Sequence, residues 1–331
     1  MSKVITQFYR GKVIESTHNI KCYIGSTDGR VIFSTGNEND YIYPRSSIKI
    51  FQAIPFALSN GFDVYNLNKK QIALSCSSHC GENFHINELK NWIKKIKLKP
   101  TNLQCGIHNP LDKKSSEKFL LSGSKRNQLL NNCAGKHLAM LSNCLVNKFN
   151  IQNYLDFNHP HQKKIRDIFT IFTESKILTK SYGIDGCSAP QYAFKIKELS
   201  TALINLFKSY NFKFEFSEQV KRMINSILQN PLYIGGTNNL DSNLIKISKN
   251  KIFCKGGAEG VFLFLNLKKE IFGIIKVADG NERALPAATY KLFKKFSILS
   301  IEELNNFKKW NNLNIYNHAK QKVGNINTII E

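Results

Sequence analysis

Ser46 stands three residues before Lys49 in the segment YIYPRSSIKIF, residues 41–51. Residues three apart on a helix share a face, so a helix starting here brings hydroxyl and amine together. Pro44 suits a first helical turn, which puts Ser46 near the positive end of the helix dipole. A serine hydroxyl is a weak nucleophile at neutral pH. A neighbouring lysine can take its proton if burial or nearby cations lower the lysine pKa. The ordinary alternative for an isolated S-x-x-K spacing is a serine near a helix cap followed by a solvated lysine.

Two further elements favour the chemical reading. FCKGGAEG, residues 253–260, ends a strand with Lys255-Gly256-Gly257. Serine acylases built on S-x-x-K carry a comparable strand, whose lysine lines the site and whose glycine lets substrate lie close. Between these segments SSHCGENFH supplies Ser78 in a polar loop. The chain thus offers two candidate pairs, Ser46 with Lys49 and Ser78 with Lys255.

A second constellation combines NNCAGKHLAML with GIDGCSAP. Cys133, Lys136 and His137 fall at i, i+3 and i+4 on one helix face, and Cys187 sits in a glycine-flanked loop beside Asp185. Thiolate and imidazole are good zinc ligands, and two ligands from a helix plus one from a loop make a workable site. Side-chain chemistry alone selects Cys133, His137 and Cys187. The alternative is a core cysteine with His137 bonded to a polar group. Arg45 could hold a carboxylate through its planar fork, and Asp185 a substrate amine. Glu82 and Glu259 have glycine neighbours, as in site loops, whereas His79, His85 and His108 are weaker acid–base candidates. In VADGNERA, Asp279 and Arg283 are expected to pair structurally.

The elements that must position these groups follow from hydrophobic period. Residues 2–34 alternate apolar and polar around STDGR and read as a strand hairpin or meander. Ile50, Ile54 and Leu58 make a helical stripe after Ser46, with Pro55 expected to kink or end it. IALSCSSHCGENFH begins as a buried strand or helix and ends in a polar loop. Residues 86–98 read as an amphipathic helix, and roughly 125–230 as mostly helical. LIKISKNKIFCKGG, GVFLFLNL and IFGIIKVADG return to strands, and ALPAATYKLFKKF is a final helix. The order strands, helices, strands, helix predicts a single α/β (α+β) domain over 1–331. Its antiparallel sheet is assembled from both chain ends, with helices between.

Bulk composition narrows the function classes. The chain has 331 residues, 42% hydrophobic, enough for a sizeable core. No apolar run suits a membrane span, and the first residues, MSKVITQFYRGK, lack a signal-peptide core. A cytoplasmic protein with no membrane partner is expected. The net charge of +23 admits a polyanion-binding protein. Yet the lysines are scattered and Asn and Ile are equally abundant, so compositional drift is preferred and no nucleic-acid partner is expected. Eight cysteines without a C-x-x-C pair read as buried thiols in a reducing compartment.

Together, PRSSIKIFQAIP, CSSHCGE, CGIHNP, NNCAGKHLAML, DGCSAPQYA, KGGAEGVF and KVADGNERALPA resemble the Rhizobium etli-type asparaginases, also called asparaginase II or class 3. The resemblance runs in order from about residue 7 to about residue 325. It implies a fold like that of serine β-lactamases and glutaminases, and hydrolysis of L-asparagine to L-aspartate and ammonia. It implies two Ser-Lys tandems, matching Ser46/Lys49 and Ser78/Lys255, with Ser46 expected as nucleophile. It also implies one zinc ion near the substrate, held by Cys133, Lys136 and Cys187. Asp185 matches a position near metal and substrate, and His137 is left to the substrate side with Arg45 and Glu82. A homodimer is implied as well. Cys80 departs from the pattern, standing where a small non-thiol residue is expected, and the charge is unusually basic. A glutaminase or peptidase-like amidohydrolase of the same fold is the alternative.

Overall fold

The computed structural model describes residues 2–331. Its centre is an eight-stranded sheet in which every pairing is antiparallel. The N-terminal strands are β1 (Val4–Arg10), β2 (Val13–Ser26) and β3 (Val31–Ser34). The C-terminal ones are β4 (Ile252–Gly257), β5 (Val261–Asn266), β6 (Ile271–Val277), β7 (Asn314–Tyr316) and β8 (Lys322–Ile330). They run β7-β8-β1-β2-β6-β5-β4, with β3 also paired to β2. The two ends of the chain therefore interleave, as the order of elements predicts. Alternation in β1 has a direct cause: Val4, Thr6 and Phe8 are buried while the intervening residues are half-exposed. The inner strand β5 is buried at every position, which suits its five consecutive apolar residues, and its last residue, Asn266, donates its side-chain amide to the Ile298 carbonyl.

Helices cover the sheet and fill the middle of the chain. Ile196–Asn211 packs on β2 and β6, and Leu285–Lys295 on β1 and β8. Helix α1 (Lys49–Leu58) lies inside the helical region against α4 (Ala134–Val146), Pro160–Thr173 and Ser217–Gln229. Every α1 residue from Lys49 to Ala57 is buried. Pro55 lies within α1 without ending it; the helix runs on to Leu58.

Two readings need correction. LIKISKN is not the start of a strand. Helix α5 (Leu240–Ile247) is capped by the Asn239 side chain on the Asp241 amide, and β4 begins only at Ile252. Leu244 and Ile245 are buried side by side on a helix face, which a short apolar run cannot distinguish from a strand. Asp279 and Arg283 do not pair directly. His18 lies between them, its Nδ1 2.6 Å from Asp279 and its Nε2 accepting from Arg283 Nε at 3.1 Å. No described helix is long and apolar enough to cross a membrane.

Candidate active site

The site forms where four segments meet. A 3₁₀ turn, Arg45–Ile48, leads into α1 and carries Arg45 and Ser46. Arg45 has a left-handed φ of 52°, an unfavourable backbone for arginine that tends to persist at functional sites. The turn lies against the outer edge of β4. A Cβ on Gly257 would come within 2.4 Å of the Pro44 carbonyl oxygen and 3.1 Å of the Ser46 and Ser47 nitrogens. Only glycine permits that approach. Beyond the turn, α2 (Lys69–Ser75) ends in the loop that carries Ser78, and α3 (Asn83–Lys95) follows. Helix α4 approaches the end of α2 so closely that a Cβ on Gly135 would sit 2.0 Å from the Leu74 carbonyl oxygen. Cys133, at the N-cap of α4, is thereby brought beside the Ser78 loop.

Lys49 is fully buried at the junction. Its Nζ donates to the Ser77 carbonyl at 2.5 Å and lies 2.9 Å from Ser78 Oγ and 3.3 Å from Cys133 Sγ. Burial lowers its pKa; Cys133 opposes this, while the charges of Lys136 and Lys255 add to it. Depressed basicity of this kind leaves more of an amine unprotonated and able to accept a proton at a given pH.

The serine–lysine pairing differs from the one read in sequence. Ser78 contacts Lys49, and Lys255 is engaged elsewhere. Lys255 Nζ donates to Asp241 Oδ2 at 2.9 Å and to the Gly256 carbonyl at 2.7 Å. Asp241 Oδ1 in turn accepts the Gly256 amide at 2.8 Å. Both partners of this ion pair are almost wholly buried. A buried ammonium needs a counter-charge, and the first turn of α5 supplies it. Sequence reasoning missed Asp241; its only signal was an acidic residue one place after the start of a short capped helix. Ser46 is half-buried and makes no side-chain hydrogen bond among the described residues.

A polar chain continues from Lys49 through the sulfurs. Cys187 Sγ lies 3.6 Å from Asp185 Oδ2, and the Cys187 pKa is lowered to about 5 by Cys133, burial opposing and Lys136 assisting the shift. Cys187, followed by burial, pushes Cys133 up to about 12. Lys136 Nζ is 3.0 Å from Cys187 Sγ and 3.9 Å from Asp185 Oδ2. Burial opposes the Lys136 charge, but Cys187, Cys133 and Asp185 outweigh it and raise its pKa. Asp185 and Cys187 follow a short strand, Tyr182–Ile184, that pairs with Pro190–Tyr192. Asp185 Oδ1 accepts from Arg45 Nε at 2.8 Å. Burial works against the Asp185 carboxylate, yet Lys136 and Arg45 hold its pKa below the usual range.

His137 does not join Cys133 and Cys187 as a metal triad. Its Nδ1 lies 2.6 Å from the Tyr154 hydroxyl. Burial, with Lys136, lowers its pKa to about 3, so the ring is neutral. One helical step turns it toward Tyr154 while Lys136 points to the sulfurs. Glu82 binds Thr237 instead of lying in the serine–lysine cluster: its oxygens accept from the Thr237 amide at 2.7 Å and hydroxyl at 2.6 Å. Arg45 and Glu259 line a cavity of about 550 Å³ with Tyr43, Gln191 and Lys276.

Comparison with known proteins adds two observations. The family model described as L-asparaginase II matches residues 6–328. A solved structure from Bacteroides dorei DSM 17855, described as a "putative beta-lactamase", aligns over 88% of this chain and 93% of its own at 10% identity and a TM-score of 0.37. No curated protein matches.

Proposed function

The chain belongs to the L-asparaginase II family, and from that premise we propose that it is an L-asparaginase of the Rhizobium etli type. It hydrolyses the side-chain amide of L-asparagine to L-aspartate and ammonia through a serine acyl-enzyme. The observation that carries this is Lys49, buried, of depressed pKa and 2.9 Å from Ser78 Oγ. A neutral Lys49 still donates to the Ser77 carbonyl and offers its lone pair to the Ser78 hydroxyl.

Ser46, whose hydroxyl is unengaged, attacks the amide carbon. Its proton passes by way of Ser78 to Lys49, and Lys49 returns a proton to the departing ammonia. Water then cleaves the ester, with Lys49 again as base. The oxyanion is held by backbone N–H groups at the 3₁₀ turn and the edge of β4. Arg45, steadied through Nε by Asp185, binds the substrate carboxylate with its terminal nitrogens. A second reading has Ser78 attack directly, favoured by its own contact with Lys49.

Zinc fits the Cys133, Lys136 and Cys187 cluster. Lys136 Nζ already lies 3.0 Å from Cys187 Sγ, Cys133 is buried one helical turn before Lys136, and two thiolates with a nitrogen suit a tetrahedral ion with Zn–S bonds of roughly 2.3 Å. The Cys187 thiolate is already formed at neutral pH. When bound, zinc would supply positive charge for substrate positioning. Lys136 must give up its proton to be a ligand, and Asp185 is the adjacent carboxylate.

The test is ammonia release from L-asparagine and L-glutamine by the wild type, Ser46→Ala and Ser78→Ala, with peptide mapping of acid-quenched enzyme. An acyl group on Ser46 and asparagine as the better substrate agree with the proposal. An acyl group on Ser78 reassigns the nucleophile, and faster glutamine turnover makes the enzyme a glutaminase.

A further inference from the structure

Cys80, Glu82 and His85 lie outside the serine–lysine cluster, on the loop after Ser78 and the first turn of α3. Among the described residues they are the one group of three Cys, His or acidic side chains whose donor atoms all lie within 4.8 Å of one another. We propose that these three residues bind a borderline-soft divalent ion, such as zinc or cobalt(II), at a site separate from Cys133, Lys136 and Cys187. This inference stands independently of the proposed hydrolytic function.

The histidine is the strongest element. His85 is wholly buried, and its Nε2 lies 3.0 Å from the Leu232 carbonyl oxygen. A carbonyl only accepts, so Nε2 carries the hydrogen and Nδ1 holds a lone pair. Nδ1 is buried and has no hydrogen-bond partner. Leaving a buried acceptor unsatisfied is destabilising, and an ion would satisfy it. A ring N–H tied to a backbone carbonyl, with the other nitrogen free, is the arrangement that orients metal-bound histidines. Burial also lowers the His85 pKa to about 4, so Nδ1 is unprotonated at neutral pH.

The other two ligands are equally prepared. The Cys80 thiol donates to Glu82 Oε1 at 3.0 Å. The Glu82 carboxylate is anchored by Thr237, whose hydrogen bonds outweigh burial and lower its pKa. Cys80 and Glu82 are both partly exposed, so an ion can reach them from solvent. Thiol, carboxylate and imidazole together suit zinc-like ions better than magnesium or calcium. Burial and Glu82 hold Cys80 protonated in the empty site. Binding therefore replaces the S–H bond with an S–metal bond and releases one proton to solvent. The ion would tie the loop carrying Ser78 to α3 and, through Glu82, to Thr237.

The test is a cobalt(II) titration of the full chain after chelator treatment and reduction, followed by thiolate-to-cobalt absorption, metal stoichiometry and proton release. The wild type is expected to bind one equivalent more than Cys80→Ser, and to release one proton more. His85→Gln should lose the same equivalent, while a Cys133→Ser/Cys187→Ser chain should retain it. Cys80→Ser is nearly isosteric at a partly exposed position, so it reads the site even if His85→Gln fails to fold. Equal cobalt stoichiometry in folded Cys80→Ser and wild type overturns the proposal, as does a wild type that binds no cobalt.

Discussion

Replacing Lys49 by methionine should separate catalysis from stability. The substitution keeps most of the aliphatic volume and removes the amine. Loss of a positioned general base costs about 10²–10⁴-fold in rate. The effect on folding is the difference of two opposing quantities. The Ser77 carbonyl and Ser78 hydroxyl lose a partner at 2.5 and 2.9 Å, at about 1–3 kcal/mol for each buried group left unsatisfied. Against this, an apolar side chain spares the cost of keeping an amine in the dry interior. The two offset one another, so kcat collapses while the melting temperature moves by only a few degrees. The pH behaviour follows from the lowered Lys49 pKa. Neutral Lys49 is the active form, so wild-type turnover rises with pH through that lowered value. The unfolded chain holds this proton more tightly than the folded one, so wild-type stability also rises with pH from the lowered value to the ordinary lysine range. Lys49→Met should lack both slopes. Ammonia release from L-asparagine and thermal melts across pH, on both proteins, measure these quantities. A folded Lys49→Met enzyme keeping a tenth of wild-type turnover would refute the assignment of Lys49 as base.

Other substitutions test the surrounding structure. Gly257→Ala drives a methyl toward the Pro44 carbonyl oxygen and shifts the turn bearing Ser46; a displacement near 1 Å costs about 10²-fold in turnover, measurable on enzyme that still melts cooperatively. Asp241→Ala strands the Lys255 ammonium in the interior and should destabilise by about 3–5 kcal/mol in urea melts, most of it recovered in Asp241→Ala/Lys255→Met. Zinc bound at Cys133 and Cys187 should bind progressively more weakly as pH falls, because protons compete with the ion for both sulfurs, as followed with a metal-sensitive dye. Asp185→Asn frees Arg45 from its 2.8 Å contact and should raise KM for asparagine more than it lowers kcat, read from steady-state kinetics.

Local order in the sequence determined the elements and several one-turn relations. Alternation in residues 2–34, the helical stripe after Ser46, and the Cys133–Lys136 spacing all survive in the structure, because period and sterics act over a few residues. So did the assembly of one sheet from both chain ends, since apolar strands at each end must share a core. Tertiary packing decided which side chains meet. Lys49 reaches a serine 29 residues away and a cysteine 84 away, because α2 and α4 press against each other through Gly135. Lys255 turned from Ser78 to Asp241 because a desolvated ammonium binds the nearest carboxylate. His137 turned to Tyr154, and His18 came between Asp279 and Arg283. Each partner was chosen by the cost of burying charge or an unpaired polar group, and that cost exists only once the core has closed.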